Sequence, residues 1–439
     1  MARTPNLGNV STRLQRIAQL AREDRERVLV SLAHHIDQEF LREAYRRTRK
    51  DGALGVDSQT AAEYAESLEG NLQDLLNRFK SGCYQAPPVR RVYIPKGGNP
   101  SAKRPIGVPT FEDKVLQRAV AMVLEAVYEQ EFLNCSYGSR PGRSAHQAIR
   151  DLRQLLMSMG GGWVLEADIE GFYDNLEPRH LRDFLDQRVR DGVLRRSVDK
   201  WLKAGVMEEG NLSHPTTGTP QGGVISPLLS NIYLHKVLDE WFEKEVKPRL
   251  HGPAHLIRYA DDFVLVFQEE ADARRVQEVL PKRFGKYGLR LHPDKTRLVR
   301  FERPKAGQAP PHEGPRSFDF LGFTHYWERS RRGSWVVKRK TATNRITRFL
   351  LRLNLWCKGH RHTPLAEQQA ALVRKLRGHC GYYGITGNSR SLSSLHHRAK
   401  RIWRKWLSRR TRDSCLTWER FNLLLERYPL PNPRICKVA

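Results

Sequence analysis

The sequence predicts an α+β fold with a helical C-terminal region. The segment IRYADDFVLVF, from Ile257 to Phe267, has β-branched and aromatic residues on both sides of Ala260-Asp261-Asp262. This pattern is typical of two strands that meet at a tight turn. Before about residue 50 and beyond about residue 340, apolar residues recur at helical spacing among charged ones. Sheet is therefore expected in the middle of the chain and helices at both ends.

Three further segments of the middle region have strand character. RRVYIPK alternates from Arg90 to Lys96, and Trp163 to Ile169 is mostly apolar, as expected of a buried strand. KYGLRLHPDKTRLVRF reads as a strand pair around His292-Pro293, with Lys295 just after the turn. Between these strands, helices are expected in FEDKVLQRAVAMVLEAVYEQEF and after the Gly- and Pro-rich segment GTPQGGVISP.

The charge balance points to a polyanionic partner. The 439-residue chain carries 76 Lys+Arg against 48 Asp+Glu, a formal net charge of +28, and nucleic acid is the natural match. A membrane span is excluded because no stretch approaches the roughly 18 apolar residues that one needs. The N-terminus has no apolar signal-type segment and the six cysteines form no CxxC pairs. A cytoplasmic location is therefore expected.

Carboxylates stand at two strand ends. Asp261 and Asp262 are adjacent in the predicted turn, and Asp168 lies near the end of the apolar strand. A solvated turn and a cation-binding turn both fit the Asp-Asp dipeptide alone, because Asp is common in turns and a divalent cation offsets the repulsion of adjacent carboxylates. A carboxylate such as Asp168 at the end of a buried strand is costly unless it is paired or metal-bound.

Basic residues cluster in three places. Lys96, Lys103 and Arg104 flank a glycine-bearing loop that fits either a triphosphate clamp or a solvated loop. Arg140 and Arg143 lie in a turn-rich lead-in to a helix, where guanidinium groups and helix N-terminal amides can face phosphate. From His396 to Arg412 there are eight Lys/Arg and no acidic residue. Such like charges repel without an anion, which favours a helix that faces nucleic acid. The basic residues expected to bind nucleic acid there are Arg401, Arg404, Lys405, Arg409 and Arg410.

Together these features suggest nucleotidyl transfer. Carboxylate oxygens are hard ligands that suit Mg²⁺, whose remaining ligands are usually water and substrate phosphate. Two such ions about 4 Å apart activate an attacking hydroxyl and steady the leaving oxygen. Two Mg²⁺ ions are the expected cofactors.

Seven motifs in order resemble those of a known family. They are RPIGVP (104–109), SYGSRPGRSAH (136–146), DIEGFYDN (168–175), GTPQGGVISPLLSNIYL (218–234), YADD (259–262), LHPDKT (291–296) and FLGF (320–323). The chain resembles the reverse transcriptases, or maturases, encoded by group II introns. The segment LRGHCGYYG (376–384) resembles the maturase or thumb domain of that family more weakly.

The resemblance implies a right-hand polymerase fold, with fingers, a palm built on an antiparallel sheet, and an α-helical thumb/maturase domain. The implied borders are an N-terminal helical extension at 1–50, fingers at 51–160, palm at 161–330 and thumb/maturase domain at 331–439. The implied partners are the intron RNA, an RNA template, a DNA primer or target, and deoxynucleoside triphosphates.

The resemblance also implies roles for single residues. Asp168 and Asp261 would bind both Mg²⁺ ions, the main-chain carbonyl of Ile169 would add a ligand, and Asp262 would be a third, less direct carboxylate. Tyr173 would stack under the incoming sugar and exclude a 2′-hydroxyl. Lys96 and Arg104 would hold the triphosphate, and Gln221 would pack along the nascent base pair. Lys295 would protonate the leaving pyrophosphate. Lys103 competes with Arg104 for the triphosphate, and FLGF would grip the primer end.

The chain departs from the fullest family pattern after the basic helix. No segment there resembles an HNH nuclease with paired cysteines, which implies the lineage that uses pre-existing DNA ends as primers. Two alternatives remain open. A reverse transcriptase with a host task such as defence or repair would carry the same motifs. An RNA-binding splicing factor without polymerisation would be expected to lose metal ligands, whereas Asp168, Asp261 and Asp262 are all present.

Overall fold

The structure of the protein is a computed structural model. It describes residues 7–95, 103–208, 210–213, 222–304, 317–410 and 416–436. Two predicted site residues, Lys96 and Gln221, lie outside the described residues.

The described residues form helices and mainly antiparallel sheets. The helices are α1 (Leu7–Glu23), α2 (Gln38–Arg47), α3 (Ala61–Glu66), α4 (Leu68–Ser81), α5 (Phe111–Tyr128), α6 (Ala145–Met159), α7 (Phe172–Asn175), α8 (Pro178–Asp186), α9 (Gly192–Lys203), α10 (Ser226–Leu234), α11 (Glu270–Gly285), α12 (Thr343–Gly359), α13 (Leu365–Tyr383), α14 (Ser389–Leu407) and α15 (Trp418–Arg427). The strands are β1 (Val89–Pro95), β2 (Lys103–Val108), β3 (Trp163–Asp168), β4 (Val206–Glu208), β5 (Asn211–Ser213), β6 (Ala254–Tyr259), β7 (Asp262–Phe267), β8 (Arg297–Arg300), β9 (Phe318–Phe320), β10 (Phe323–Arg329) and β11 (Trp335–Thr341).

The chain divides into two compact units. Among the described residues, the first contains those up to 95, 103–145 and 167–298, and the second contains 146–166 and 299–436. Residues 146–160 of the predicted fingers and residues 161–166 and 299–330 of the predicted palm group here with the C-terminal helices. The reason is packing: Phe323 shares a small core with Ile149 and Ile385, and the Arg153 side chain donates to the Val337 carbonyl (3.0 Å).

One sheet carries the predicted carboxylates. Its strand order is β6-β7-β3-β8. Strands β6 and β7 form an antiparallel hairpin that closes at Tyr259 and Asp262. A second sheet has the order β2-β1-β4-β5, in which β1 pairs antiparallel with β2 and parallel with β4. The strands around the Asp-Asp turn and before Asp168 therefore form where the sequence predicts them.

The long helix predicted after the Gly-rich loop changes its geometry part of the way along. Helix α10 begins with a Pro in its first turn and continues directly into π-helical turns at His235–Asp239 and Trp241–Val246. π-Helical turns are rare and often occur near functional sites. The first of these turns carries Asp239, which is fully buried.

The second unit joins a three-stranded sheet to a helical bundle. The sheet has the order β11-β10-β9, and the FLGF motif forms the turn between β9 and β10 with Leu321 and Gly322 at positive φ. Helices α12 to α15 enclose one core around Leu353, Leu376 and Trp403. None of the helices in the described part of the chain is both long enough and apolar enough to cross a membrane.

Candidate active site

The turn between β6 and β7 presents Asp261 at its tip. Ala260 has φ +56°, in the left-handed region that non-glycine residues rarely occupy. Such backbone strain persists only where surrounding structure over-determines it. Asp262 begins β7 opposite Tyr259. The sharp turn therefore separates the directions of the two adjacent carboxylates.

Arg258 holds this turn from beneath. Its guanidinium is fully buried and donates to both carboxylate oxygens of Asp239, at 2.7 and 2.5 Å, and to the Ala260 carbonyl at 3.0 Å. A bidentate pair fixes orientation as well as charge. Neither residue stands out in the sequence, because a buried ion pair leaves no mark in hydrophobic periodicity.

The SYGSRPG motif packs against the same turn. Ser136 Oγ accepts a hydrogen bond from Arg258 (2.8 Å), and Asn231 bridges Arg258 (3.0 Å) to the Gly138 carbonyl (2.7 Å). A Cβ atom on Gly138 would lie 2.3 Å from the backbone nitrogen of Ala260. Glycine is therefore required here for close backbone approach to the turn.

Asp168 ends β3 and is fixed through its main chain. Its carbonyl accepts from the His292 amide (2.8 Å), and Glu170 donates its amide to the Arg290 carbonyl (2.8 Å). The Asp168 carboxylate forms an ion pair with Lys295, which lies in a 3₁₀ turn at Pro293–Lys295. The strand end thus brings a carboxylate and a lysine together from segments 127 residues apart.

The predicted active-site residues line one cleft in the first unit, with a volume of ≈ 170 Å³. Among the predicted residues that the structure describes, Arg104, Asp168, Ile169, Tyr173, Asp261 and Lys295 are in this lining. Lys103 also lines this cleft, so Lys103 and Arg104 both remain candidates for binding the triphosphate. Asp262 is not among the residues that line this cleft.

Electrostatics in the cleft favour a cation near Asp261. Burial raises the pKa of Asp261 above its ordinary value, and the Asp168 carboxylate adds to the rise, while Arg104 and Lys295 oppose it. Burial and repulsion between carboxylates both disfavour the ionised forms of Asp168 and Asp261. A bound divalent cation would offset both effects by stabilising the charged carboxylates.

The donor set fits magnesium. No group of three or more His, Cys, Asp or Glu side chains suited to a metal occurs among the residues that the structure describes. Mg²⁺ needs fewer protein ligands, since it is usually bound by one or two carboxylates together with substrate phosphates and water. Asp168 and Asp261 would supply those carboxylates.

Tyr173 closes one side of the cleft. Burial raises the pKa of its hydroxyl, which is hydrogen-bonded to the side chain of Ser230. Tyr173 follows Phe172, whose ring contacts it edge to face at 5.4 Å between centroids. The ring is thus held in place before any nucleotide binds.

Gly222, the neighbour of Gln221, packs closely against strand β2. Gly222 has φ +126°, and a Cβ atom there would lie 2.5 Å from the Gly107 carbonyl oxygen on β2. A need for close approach at Gly222 therefore arises from packing within the first unit. The expected contact of Gln221 with a nascent base pair lies outside the described residues.

Arg140 and Arg143 differ in their surroundings. All three nitrogens of the Arg140 guanidinium are engaged by Glu129 and by the carbonyls of Leu133 and Ser136, and its side chain is only 5% exposed. Arg140 therefore organises the loop from within, and the expected phosphate contact does not fit this geometry. Arg143 is more open and donates to Asn134 (2.6 Å).

The predicted basic residues lie on α14 and just after it, and their surroundings differ. On α14, Arg401 and Lys405 are exposed and line an open groove of ≈ 360 Å³ between α12 and α14, together with Arg404 and Arg398. After the helix, Arg410 donates to the carbonyls of Arg361 and Thr363. Arg404 lies over Trp418 and Arg409 over Trp406, with cation-to-centroid distances of 4.3 and 5.2 Å.

The two tryptophans interleaved in this helix belong to the core. Trp403 is fully buried and donates its indole N–H to Gln368 (3.0 Å), and Trp406 donates to Asn354 (2.8 Å). The nucleic-acid face of α14 is therefore narrower than the charge run indicates.

Comparison with known proteins identifies the family. Residues 94–325 match the model of the reverse transcriptase (RNA-dependent DNA polymerase) family. The chain therefore belongs to the reverse transcriptases and is an RNA-directed DNA polymerase.

The relatives extend this result. The chain is 35% identical over 335 residues to Protein YkfC of Escherichia coli K12, covering 68% of this chain and 83% of that protein. It is 28% identical over 422 residues to the group II intron-encoded protein LtrA of Lactococcus lactis, covering 77% and 67%. It is 27% identical over 177 residues to nuclear intron maturase 2, mitochondrial, of Arabidopsis thaliana, covering 31% and 24%. The predicted resemblance to group II intron reverse transcriptases is confirmed.

Proposed function

We propose that the chain is a group II intron-encoded reverse transcriptase that copies RNA into DNA and binds its intron RNA to assist splicing and mobility. The observation that carries the catalytic part is the single cleft lined by Asp168, Asp261, Arg104 and Lys295. The similarity to an intron-encoded protein and to an intron maturase supports the splicing part.

The architecture we assign is that of a right hand. The fingers take residues 51–160 and the palm 161–330, preceded by an N-terminal extension and followed by the helical thumb/maturase domain from 331. The β6–β7 hairpin and β3 supply the palm carboxylates, and the β1–β2 hairpin presents Arg104.

The side chains divide the work by position. Two Mg²⁺ ions held by Asp168 and Asp261 would activate the primer hydroxyl and neutralise charge on the departing pyrophosphate. Arg104, with Lys103 beside it, binds the triphosphate of the incoming deoxynucleotide. Lys295 Nζ holds a proton next to Asp168 and donates it to the leaving pyrophosphate, a task that usually contributes about 10²–10⁴-fold.

Tyr173 selects the sugar. Because its hydroxyl is bonded to Ser230, the ring has a fixed position in the cleft lining, where it leaves no room for a 2′-hydroxyl. The exposed residues Arg401 and Lys405 contact the phosphates of bound RNA. Template RNA, a DNA primer and deoxynucleotides are the partners on this proposal.

Primer extension on an RNA template tests the catalytic assignment. Asp261→Ala removes one carboxylate of the pair and should abolish extension while RNA binding is retained. Asp183→Ala, which changes an exposed aspartate on α8, is the matched control and should leave extension unchanged. Substantial extension by Asp261→Ala would refute the assignment.

Salt titration of RNA binding tests the α14 assignment. Arg401→Ala with Lys405→Ala should weaken binding and lower the slope of log affinity against log salt by about 1.4–1.8, since each phosphate contact contributes about 0.9 on duplex and 0.7 on single strands. An unchanged slope would remove α14 from the interface.

A further inference from the structure

The second unit carries a rigid basic hairpin that the proposed active site does not use. Strands β10 and β11 pair from Phe323 and Thr341 to Arg329 and Trp335. The turn that joins them is closed by hydrogen bonds from the Ser330 amide to the Ser334 carbonyl (2.8 Å) and from the Gly333 amide to the Ser330 carbonyl (3.0 Å). The ordered turn presents two adjacent exposed arginines, Arg331 and Arg332.

One face of this hairpin changes character along its length. Side chains alternate between faces along a strand, so His325 and Trp327 of β10 share a face with Val337 and Trp335 of β11. At the end away from the turn, His325 and its partner Arg339 are buried. Nearer the turn, Val337 is buried but Trp327 opposite it is only partly buried, as is Trp335. The same face therefore becomes accessible and aromatic near its tip.

Each tryptophan in this region has an arginine against its ring. The cation-to-centroid distances are 5.5 Å for Arg303 on Trp327, 5.4 Å for Arg329 on Trp335 and 6.0 Å for Arg300 on Trp163. We call these six residues, with Arg331 and Arg332, the tryptophan–arginine patch. The arrangement is preorganised, because stacking on an indole restrains a guanidinium and leaves its N–H edge free to donate.

The indole of Trp327 is also fixed from behind. Its N–H donates to the Phe301 carbonyl (3.0 Å), and its ring stacks on Phe301 at 5.8 Å between centroids. Arg303 donates to the Met157 carbonyl (3.1 Å) with one nitrogen. These contacts hold the platform and still leave other donors on Arg303.

Among the residues that the structure describes, positive charge in the patch exceeds the negative charge of its ion-pair partners. Of its five arginines, Arg300 pairs with Glu302 (2.7 Å). Glu328 belongs to the opposite face of the hairpin and pairs with Lys338 (2.9 Å). Several guanidinium groups on a rigid aromatic base match the spaced phosphates of a nucleic-acid backbone.

We propose that the tryptophan–arginine patch is a second RNA-binding surface, which contacts the phosphodiester backbone of a folded RNA. None of its residues lines the active-site cleft. That the partner is RNA rests on the proposed function. The patch is therefore expected to anchor a long RNA without taking part in nucleotide addition.

The test uses the full chain with Arg331→Ala and Arg332→Ala combined. Its control combines Arg274→Ala and Arg275→Ala, a pair of adjacent exposed arginines on α11, where Arg274 already pairs with Glu270 (2.7 Å). Binding of a long, folded RNA transcript is titrated against salt, with a DNA duplex of similar length as a second probe. Primer extension is measured in parallel on a short template–primer.

The patch variant should bind the folded RNA about tenfold more weakly and with a salt slope lower by about 2, as expected for two lost phosphate contacts. The control should change neither quantity. Short-template extension should stay at the wild-type rate, which separates this proposal from the catalytic one, since Asp261→Ala should lose extension and keep binding. Arg331→Lys with Arg332→Lys keeps both charges and should keep the slope.

Three results would overturn the proposal. One is an unchanged RNA affinity and slope in the patch variant, which would leave the surface to a protein partner. Another is an equal loss in the α11 control. The third is a loss confined to the DNA duplex, which would assign the patch to DNA.

Discussion

Gly138→Ala should inactivate the polymerase without touching a catalytic group. The new Cβ would lie 2.3 Å from the Ala260 nitrogen, 2.9 Å from the Tyr259 carbonyl carbon and 3.1 Å from the Ala260 Cα. All three are backbone atoms, and ordinary contacts are about 1 Å longer, so the turn that carries Asp261 must move by that order. A displacement of about 1 Å at a catalytic group costs about 10²-fold in rate, and overpacking costs about 1–3 kcal/mol of stability.

Single-turnover primer extension and thermal unfolding measure these two effects separately. Extension should fall by about 10²-fold, whereas the variant should remain folded, with a modestly lower Tm. Gly70→Ala is the control, because no atom lies within 4 Å of its Cβ position inside α4. Wild-type extension by a folded Gly138→Ala protein would refute the view that this contact sets the turn.

Three other perturbations follow from the site. Arg258→Lys keeps the charge, but a lysine cannot bind Asp239 in a bidentate manner and the Ala260 carbonyl at the same time. In steady-state kinetics, kcat should therefore fall with little change in KM for the deoxynucleotide. A change in KM alone would contradict a positioning role. Asp261→Asn should raise the Tm measured with chelator at neutral pH. The pKa of Asp261 is raised in the folded state, so the folded protein binds the proton more tightly than the unfolded chain does. The ionised carboxylate therefore destabilises the fold increasingly as pH rises from the ordinary pKa of Asp through the raised one. The Tm gain should fade on acidification, and a lower Tm at neutral pH would contradict the sign. Tyr173→Ala should relax selection against ribonucleotides in competition assays, while Tyr173→Phe, which loses only the bond to Ser230, should retain it; equal selection by both variants would exclude the steric role.

The sequence predicts the local parts of the site well. Alternation and apolar runs identify the strands before Asp168 and around Asp261, because each pattern is set by neighbouring residues. The motif resemblance then selects Arg104, Tyr173 and Lys295, and the structure places all of these residues along one cleft.

The parts that depend on distant contacts were beyond the sequence patterns. Arg258 and Asp239 are 19 residues apart in the sequence, and Asp239 lies in a π-helical turn. Arg140 is of a residue type that often binds phosphate, but its guanidinium donates hydrogen bonds to Glu129 and the Ser136 carbonyl within its own region of the chain. Trp403 lies within the basic segment 396–412, yet it is fully buried in the core. In each case the partner, which pattern alone does not reveal, decides the role.

The most direct test of the central claim is anomalous diffraction at the manganese edge. Crystals would contain the protein, an RNA template, a chain-terminated DNA primer, the next deoxynucleotide and Mn²⁺ in place of Mg²⁺. We predict two manganese peaks, both contacting the Asp168 and Asp261 carboxylates, with the triphosphate beside Arg104. A bound nucleotide whose metal ions contact neither carboxylate would contradict the account.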